Sequence, residues 1–128
     1  MFMPSRFRRM KNFKELKIWQ KGFQIAVDCF SITGTFPKEE KFGLASQLNR
    51  ACVSIPSNIA EGGSRRTNKD YNHFIQLSLG SCFEAETQFL IANSLGFGKE
   101  ELIKEILIKI DEEERMLTAF SKILLASS

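Results

Sequence analysis

The sequence predicts an all-α protein, folded as an antiparallel up-down-up-down four-helix bundle. Apolar residues recur every three or four positions along most of the 128 residues, and the alternation typical of strands is missing. Glycine and proline clusters divide the chain into four periodic segments of roughly 20–28 residues, which correspond to helices about 30–42 Å long. Because the links between them are short, we expect consecutive helices to be antiparallel neighbours.

The first two helices are predicted over residues 13–32 and 37–61. Gly34 ends the first helix, and Pro37 suits the first position of the second. Pro56 lies within the second helix and should bend it without ending it. The expected apolar faces are Leu16, Trp19, Phe23, Ala26, Val27 and Phe30 on the first helix, and Leu44, Leu48, Ala51, Cys52, Ile55 and Ile59 on the second.

The third helix should begin after Thr67, which is a suitable N-cap with Asp70 three residues further on. It ends before Gly96, and the fourth helix covers residues 99–125. Three consecutive glutamates, residues 112–114, interrupt the apolar pattern of the fourth helix. The expected apolar faces are Phe74, Leu77, Ser78, Ser81, Cys82, Ala85, Phe89 and Ala92, followed by Leu102, Ile103, Ile106, Ile110, Leu117, Phe120, Ile123 and Leu124.

Composition indicates one globular domain, which we assign to residues 13–126, after a basic and flexible N-terminal arm of residues 1–12. Whether translation starts at Met1 or Met10 stays open. No apolar run is long enough to span a membrane, and no secretory signal is recognisable. The three cysteines form no CxxC pair and lie in apolar stretches, so buried free thiols and a cytoplasmic location are expected.

The sequence predicts no catalytic residue, no metal site and no cofactor. The single histidine, His73, has only Asp70 at a spacing suited to a metal ion, and such a pair is a weak signal. The Glu-x-x-His motifs of di-iron bundles and the GxSxG motif of hydrolases do not occur. We therefore expect a protein that is not an enzyme.

Charge divides the chain into a basic and an acidic half. Residues 1–69 carry a net charge of +8 and residues 70–128 one of −5, a distribution that favours an anionic partner or head-to-tail matching between subunits. Basic clusters bind nucleic-acid phosphates, whereas an ordinary solvated surface is the plainer interpretation. The candidate nucleic-acid-binding residues are Lys14, Lys17, Lys21, Arg50, Arg65 and Arg66.

A polar seam follows the apolar face of the second helix. Its residues recur at helical spacing, and such a seam suits a subunit interface with a defined register, although a solvated face is the alternative. Glu61 lies near a helix C-terminus, where the dipole disfavours an anion, so we expect it to have a cationic partner. The candidate interface residues are Gln47, Arg50, Ser54, Asn58 and Glu61.

Residues 43–62, GLASQLNRACVSIPSNIAEG, closely resemble the defining motif of the 23S rRNA-intervening-sequence proteins. FKELKIWQK at residues 13–21, Phe74, and Gly80-Ser81 with Glu84 extend the similarity. The resemblance implies a four-helix bundle, ring-shaped homopentamers and no catalytic residues. In the related Avd proteins, accessory to diversity-generating retroelements, it implies binding of nucleic acid and a reverse transcriptase through basic surfaces. A role with ribosomal RNA is inferred largely from gene location.

The residues and the resemblance together predict a non-enzymatic, oligomeric helical bundle that binds structured RNA or DNA through basic surfaces. The alternative is a structural or protein-protein interaction module without nucleic-acid binding. The two hypotheses differ in whether the lysines of the first helix share an open surface with Arg65 and Arg66.

Overall fold

The structure, a computed structural model, describes residues 13–127 and confirms the all-α four-helix bundle. The helices are α1 (Lys17–Thr33), α2 (Leu44–Gly63), α3 (Asn68–Ser94) and α4 (Glu100–Ala126), and the described residues include no strand. Each helix packs against the next in sequence, and α1 also packs against α4. The predicted basic arm, residues 1–12, lies outside the described residues. Within residues 13–127, no helix is both long and apolar enough to cross a membrane.

The core runs along the centre of the bundle and receives side chains from all four helices. All three cysteines are buried free thiols, as predicted. Asn49 links α2 to α1, because its side-chain oxygen accepts a hydrogen bond of 2.9 Å from the Thr33 hydroxyl. The largest fully buried side chains include Ile25, Leu48, Ile55, Ile59, Ile75, Phe89, Ile103, Ile106, Ile110 and Leu117.

The predicted apolar face of α1 is correct only in part, since Ala26 is buried and Leu16 and Trp19 pack against the core. The helix packs on the core through Ile18, Ile25, Cys29 and Ile32, whereas Phe23 and Phe30 are about half exposed, at 50% and 53%. Two sets of apolar residues recur along α1 with helical spacing, and they are offset by about one position. The predicted face contained the larger aromatic side chains, but the smaller isoleucines Ile18, Ile25 and Ile32 fill the space between the helices.

The start of α2 is also later than predicted. Pro37 precedes a short 3-10 turn, Lys38–Glu40, and the α-helix begins only at Leu44. Gly43, with φ −107° and ψ −116°, adopts a non-helical conformation that separates the turn from the helix. Beyond it, α2 continues through Pro56, as predicted, and ends at Gly63, slightly later than the predicted end at residue 61. Near the proline, the Asn58 amide donates a 2.8 Å hydrogen bond to the Ser54 carbonyl.

The ends of α3 follow the predicted turn chemistry. The Thr67 hydroxyl accepts a 3.0 Å hydrogen bond from the backbone N–H of Asp70 and caps the first turn. Gly96 and Gly98 have φ angles of 75° and 73°, in the left-handed region that glycine adopts without strain. The α3–α4 connection therefore reverses the chain within a few residues.

Candidate nucleic-acid and subunit interfaces

Three of the candidate cations are exposed at one end of the bundle, where Lys69, Glu15, Glu61 and Asp70 are exposed as well. The antiparallel arrangement places the start of α1 beside the end of α2, and the 3-10 turn Phe13–Glu15 packs against α2. The Gln20 amide donates a 3.0 Å hydrogen bond to the Lys14 carbonyl and holds this turn on α1. Lys14, Lys17 and Arg66 are all exposed here. We call this set the basic end.

Two other candidate cations at this end are engaged within the protein. Lys21 forms a 2.8 Å ion pair with Glu112 on α4, and its side chain is only 23% exposed. This hydrogen bond and the positive charge of Lys21 lower the pKa of the Glu112 carboxyl. The guanidinium carbon of Arg65 lies 4.4 Å from the centre of the Phe74 ring, in a cation-π contact. Lys21 and Arg65 therefore help to fix the bundle and are less available to a phosphate.

Arg50 lies apart from the basic end. It is exposed, and it lines a recess between α2 and α3 together with Gln47, Ser54 and Glu84. At a rise of 1.5 Å per residue, Arg50 lies roughly 20 Å along the axis of α2 from the loop that carries Arg66. A ligand at the basic end of one protomer would therefore need to be extended in order to contact Arg50 as well.

The polar seam on α2 is partly used inside the protomer. The Ser54 hydroxyl donates a 2.6 Å hydrogen bond to the Ser81 hydroxyl of α3. Gln88 of α3 donates a 3.3 Å hydrogen bond to the side-chain oxygen of Gln47. Glu61 is exposed and makes none of the ion pairs between described residues, so the cationic partner expected for it is not found within residues 13–127. Two of the five seam residues therefore fix how α2 packs on α3.

An exposed apolar groove between α1 and α2 was missed by sequence analysis. We call it the α1–α2 groove, and it is lined by Trp19, Phe23, Val27, Phe30 and Val53. The Trp19 and Phe23 rings contact each other, with their centres 5.2 Å apart. The signal was present in the sequence, since α1 carries more apolar residues than one helix face can bury.

A second set of exposed apolar side chains lies on the outer side of α3, where Glu84 and Thr87 are exposed among them. We call it the α3 ridge, and it consists of Leu77, Phe83, Leu90 and Ile91, which are 44–52% exposed. Gly80 lies among them, and a Cβ atom placed there would find no heavy atom within 4 Å. This glycine leaves a shallow gap in the ridge, through which another helix could approach closely.

The fold and these surfaces define a class: an all-α bundle with exposed apolar faces and a basic end, in which residues 13–127 contain no cluster of side chains suited to a metal ion. The model of the 23S rRNA-intervening sequence protein family matches residues 14–119. The chain belongs to that family.

A solved structure shows the same fold. It is the crystal structure of a protein with unknown function from the S23 ribosomal protein family of Bacteroides thetaiotaomicron. It is 21% identical in sequence, has a TM-score of 0.76, and covers 82% of this chain and 98% of its own. No curated protein matches the chain.

Proposed function

We propose that this protein is a self-associating helical bundle without enzymatic activity that binds structured RNA or DNA through its basic end. The observation that carries the nucleic-acid part is the shared exposure of Lys14, Lys17 and Arg66 at one end of the bundle. The name of the family, which refers to an rRNA intervening sequence, supports the same partner. No cofactor is required, and the unpaired cysteines favour the reducing cytoplasm as the compartment.

Self-association is supported by the two exposed apolar surfaces. Aromatic and aliphatic side chains that stay half exposed over a continuous patch are typical of protein-protein contacts. The α1–α2 groove and the α3 ridge are different surfaces, so contact between them is heterologous, and heterologous contacts form a ring when the rotation closes. The family resemblance favours five subunits. A ring would also repeat the basic end and increase affinity through avidity.

We expect Phe23→Glu to lower the oligomeric mass, because it places a charge in the α1–α2 groove. The measurement is light scattering coupled to size-exclusion chromatography at micromolar concentration. Ile108→Glu is the matched control, since Ile108 is 61% exposed on α4, away from both apolar surfaces. A monomeric wild-type protein, or equal masses for wild type and Phe23→Glu, would contradict self-association through this groove.

We expect the double substitution K14E/K17E to weaken binding to a structured RNA and to flatten its salt dependence. Each lost phosphate contact should reduce the slope of log affinity against log salt by about 0.7–0.9. The matched control is K38E/K41E, which changes the net charge equally at the opposite end of the bundle, in the α1–α2 connection. Circular dichroism checks that both variants remain helical. Equal affinities for the two variants would assign the effect to net charge and not to the basic end.

The exposed apolar groove favours a second candidate function, a protein-interaction module without nucleic-acid binding. The same experiments separate the two functions. If the wild-type protein is oligomeric but binds no structured RNA or DNA even at low salt, its function is that of a protein-interaction module. The basic end is then an ordinary solvated surface.

A further inference from the structure

A carboxyl group lies in the middle of the apolar core. Glu113 is fully buried in α4, in line with Ile110 and Leu117. Neither of its side-chain oxygens accepts a hydrogen bond from a described residue. A buried and unpartnered carboxylate is strongly disfavoured, because its charge is removed from water without compensation. The protonation state of Glu113 therefore matters for the stability of the bundle.

The space for this carboxyl group is created by a glycine on α1. A Cβ atom at Gly22 would lie 2.9 Å from Glu113 Oε2, 3.1 Å from Ile55 Cγ2 and 3.4 Å from the backbone nitrogen of Pro56. Gly22 is thus the point where α1, α2 and α4 approach one another. The Glu113 carboxyl group is held against the segment of α2 that contains the proline.

Pro56 leaves the backbone of α2 short of one donor at this point. Proline has no N–H, so the Cys52 carbonyl, four residues earlier, lacks its usual helical hydrogen bond. An ionised carboxylate can only accept hydrogen bonds and cannot serve this carbonyl. A protonated carboxyl group has one O–H donor and can do so.

The charged and titratable groups around Glu113 do not supply a free counter-charge. The positive charge that acts on Glu113 is that of Lys21 on α1, and its ammonium group is already paired with Glu112. Two thiols also lie in this part of the core, that of Cys52 on α2 and that of Cys82 on α3. The pKa of the Cys82 thiol is raised mainly by burial, and further by the negative charges of Glu113, Glu114 and Glu86.

On the α3–α4 side, burial and the neighbouring Glu86 raise the pKa of the Glu114 carboxyl group to about 8. Burial likewise raises the pKa of Glu113 to about 8, although the charge of Lys21 opposes this.

We propose that Glu113 is held in the core as an uncharged carboxylic acid whose O–H donates a hydrogen bond to the α2 backbone at the Pro56 break, so that the bundle loosens when the carboxyl group loses its proton. The native state then keeps a proton that the unfolded chain releases above pH 4.5. The stabilisation is complete below that pH and is lost as the pH rises through about 8. In this window the folding equilibrium constant falls by up to about tenfold per pH unit.

Urea unfolding between pH 5 and pH 9 tests the proposal, with wild type compared with Glu113→Gln. The amide of glutamine keeps a donor and nearly the same shape but cannot ionise. We expect the urea midpoint of the wild-type protein to fall across this range and that of Glu113→Gln to fall much less. Glu114→Gln is the matched control, since it removes the neighbouring carboxyl group. Its urea midpoint should still decrease with pH to the extent that ionisation of Glu113 causes the decrease in the wild-type protein.

A second measurement needs no variant to fold. In a ¹³C NMR titration of the wild-type protein, one glutamate carboxyl resonance other than that of Glu114 should titrate well above pH 6. Parallel urea profiles for wild type and Glu113→Gln would overturn the proposal. So would a Glu113 resonance that titrates near pH 4.5, because the carboxyl group would then be ionised in the folded core at neutral pH.

Discussion

Replacing Phe89 by alanine should lower the free energy of unfolding by about 3–5 kcal/mol, the cost typical of deleting a buried aromatic ring. Phe89 is fully buried on the core face of α3, toward the C-terminal end of the helix and between Ala85 and Ala92. These small neighbours have no long side chains that could refill the space. The cavity would therefore persist, and its cost would add to the lost burial of the ring.

Phe83→Ala is the control for this prediction. Phe83 lies on the same helix but is 52% exposed on the α3 ridge, so its removal should cost less than about 1 kcal/mol within a protomer. Urea unfolding monitored by circular dichroism gives both values. Repeating it at several protein concentrations separates a lost subunit contact, which depends on concentration, from a lost core contact, which does not. Equal losses for the two variants would contradict the assigned core.

The same substitution, glycine to alanine, should have opposite effects at two helical positions. At Gly62, near the end of α2, a Cβ atom would lie 2.8 Å from Tyr71 Cδ1 and 2.9 Å from Phe74 Cβ. Tyr71 is 2% exposed and packs edge-on against Phe120 of α4, so it has little room to move. We expect Gly62→Ala to destabilise the protein by about 1–3 kcal/mol, as is typical of overpacking.

At Gly80 a Cβ atom meets nothing within 4 Å, and alanine is a better helix former than glycine. Gly80→Ala should therefore stabilise the protomer by about 0.5–1 kcal/mol. Thermal or urea unfolding of both variants provides the test. The geometry of the α2–α3 packing would be incorrect if Gly62→Ala were as stable as the wild-type protein.

Periodicity and turn chemistry were enough to predict most of the fold. The Thr67 cap, the glycine pair at residues 96 and 98, and a helix that continues through Pro56 all depend on local interactions, which sequence patterns record directly. The start of α2 was not predictable in this way. Pro37 suits both a 3-10 turn and the first turn of an α-helix, and the break at Gly43 decides between them.

The surfaces were harder to predict because they depend on which face of each helix meets the others. On α1, two apolar sets compete, and only the tertiary packing shows that Ile25 is buried while Phe23 is half exposed. A run of three glutamates is typical of a solvated face, yet the middle one, Glu113, lies in the core. Among the candidate basic residues, sequence spacing could not show that Lys21 is paired with a glutamate 91 residues away.

The contact between α1 and α4 has a consequence for the order of folding. Each of the other helix pairs that pack together in the described chain is joined by a short connection, so each forms as a local hairpin at little entropic cost. The α1–α4 contact is different, because its ion pairs Lys21–Glu112 and Asp28–Lys109 join residues 91 and 81 positions apart. We expect this long-range seam to form last and to open first, and hydrogen exchange should therefore be faster along it than at the α2–α3 contact.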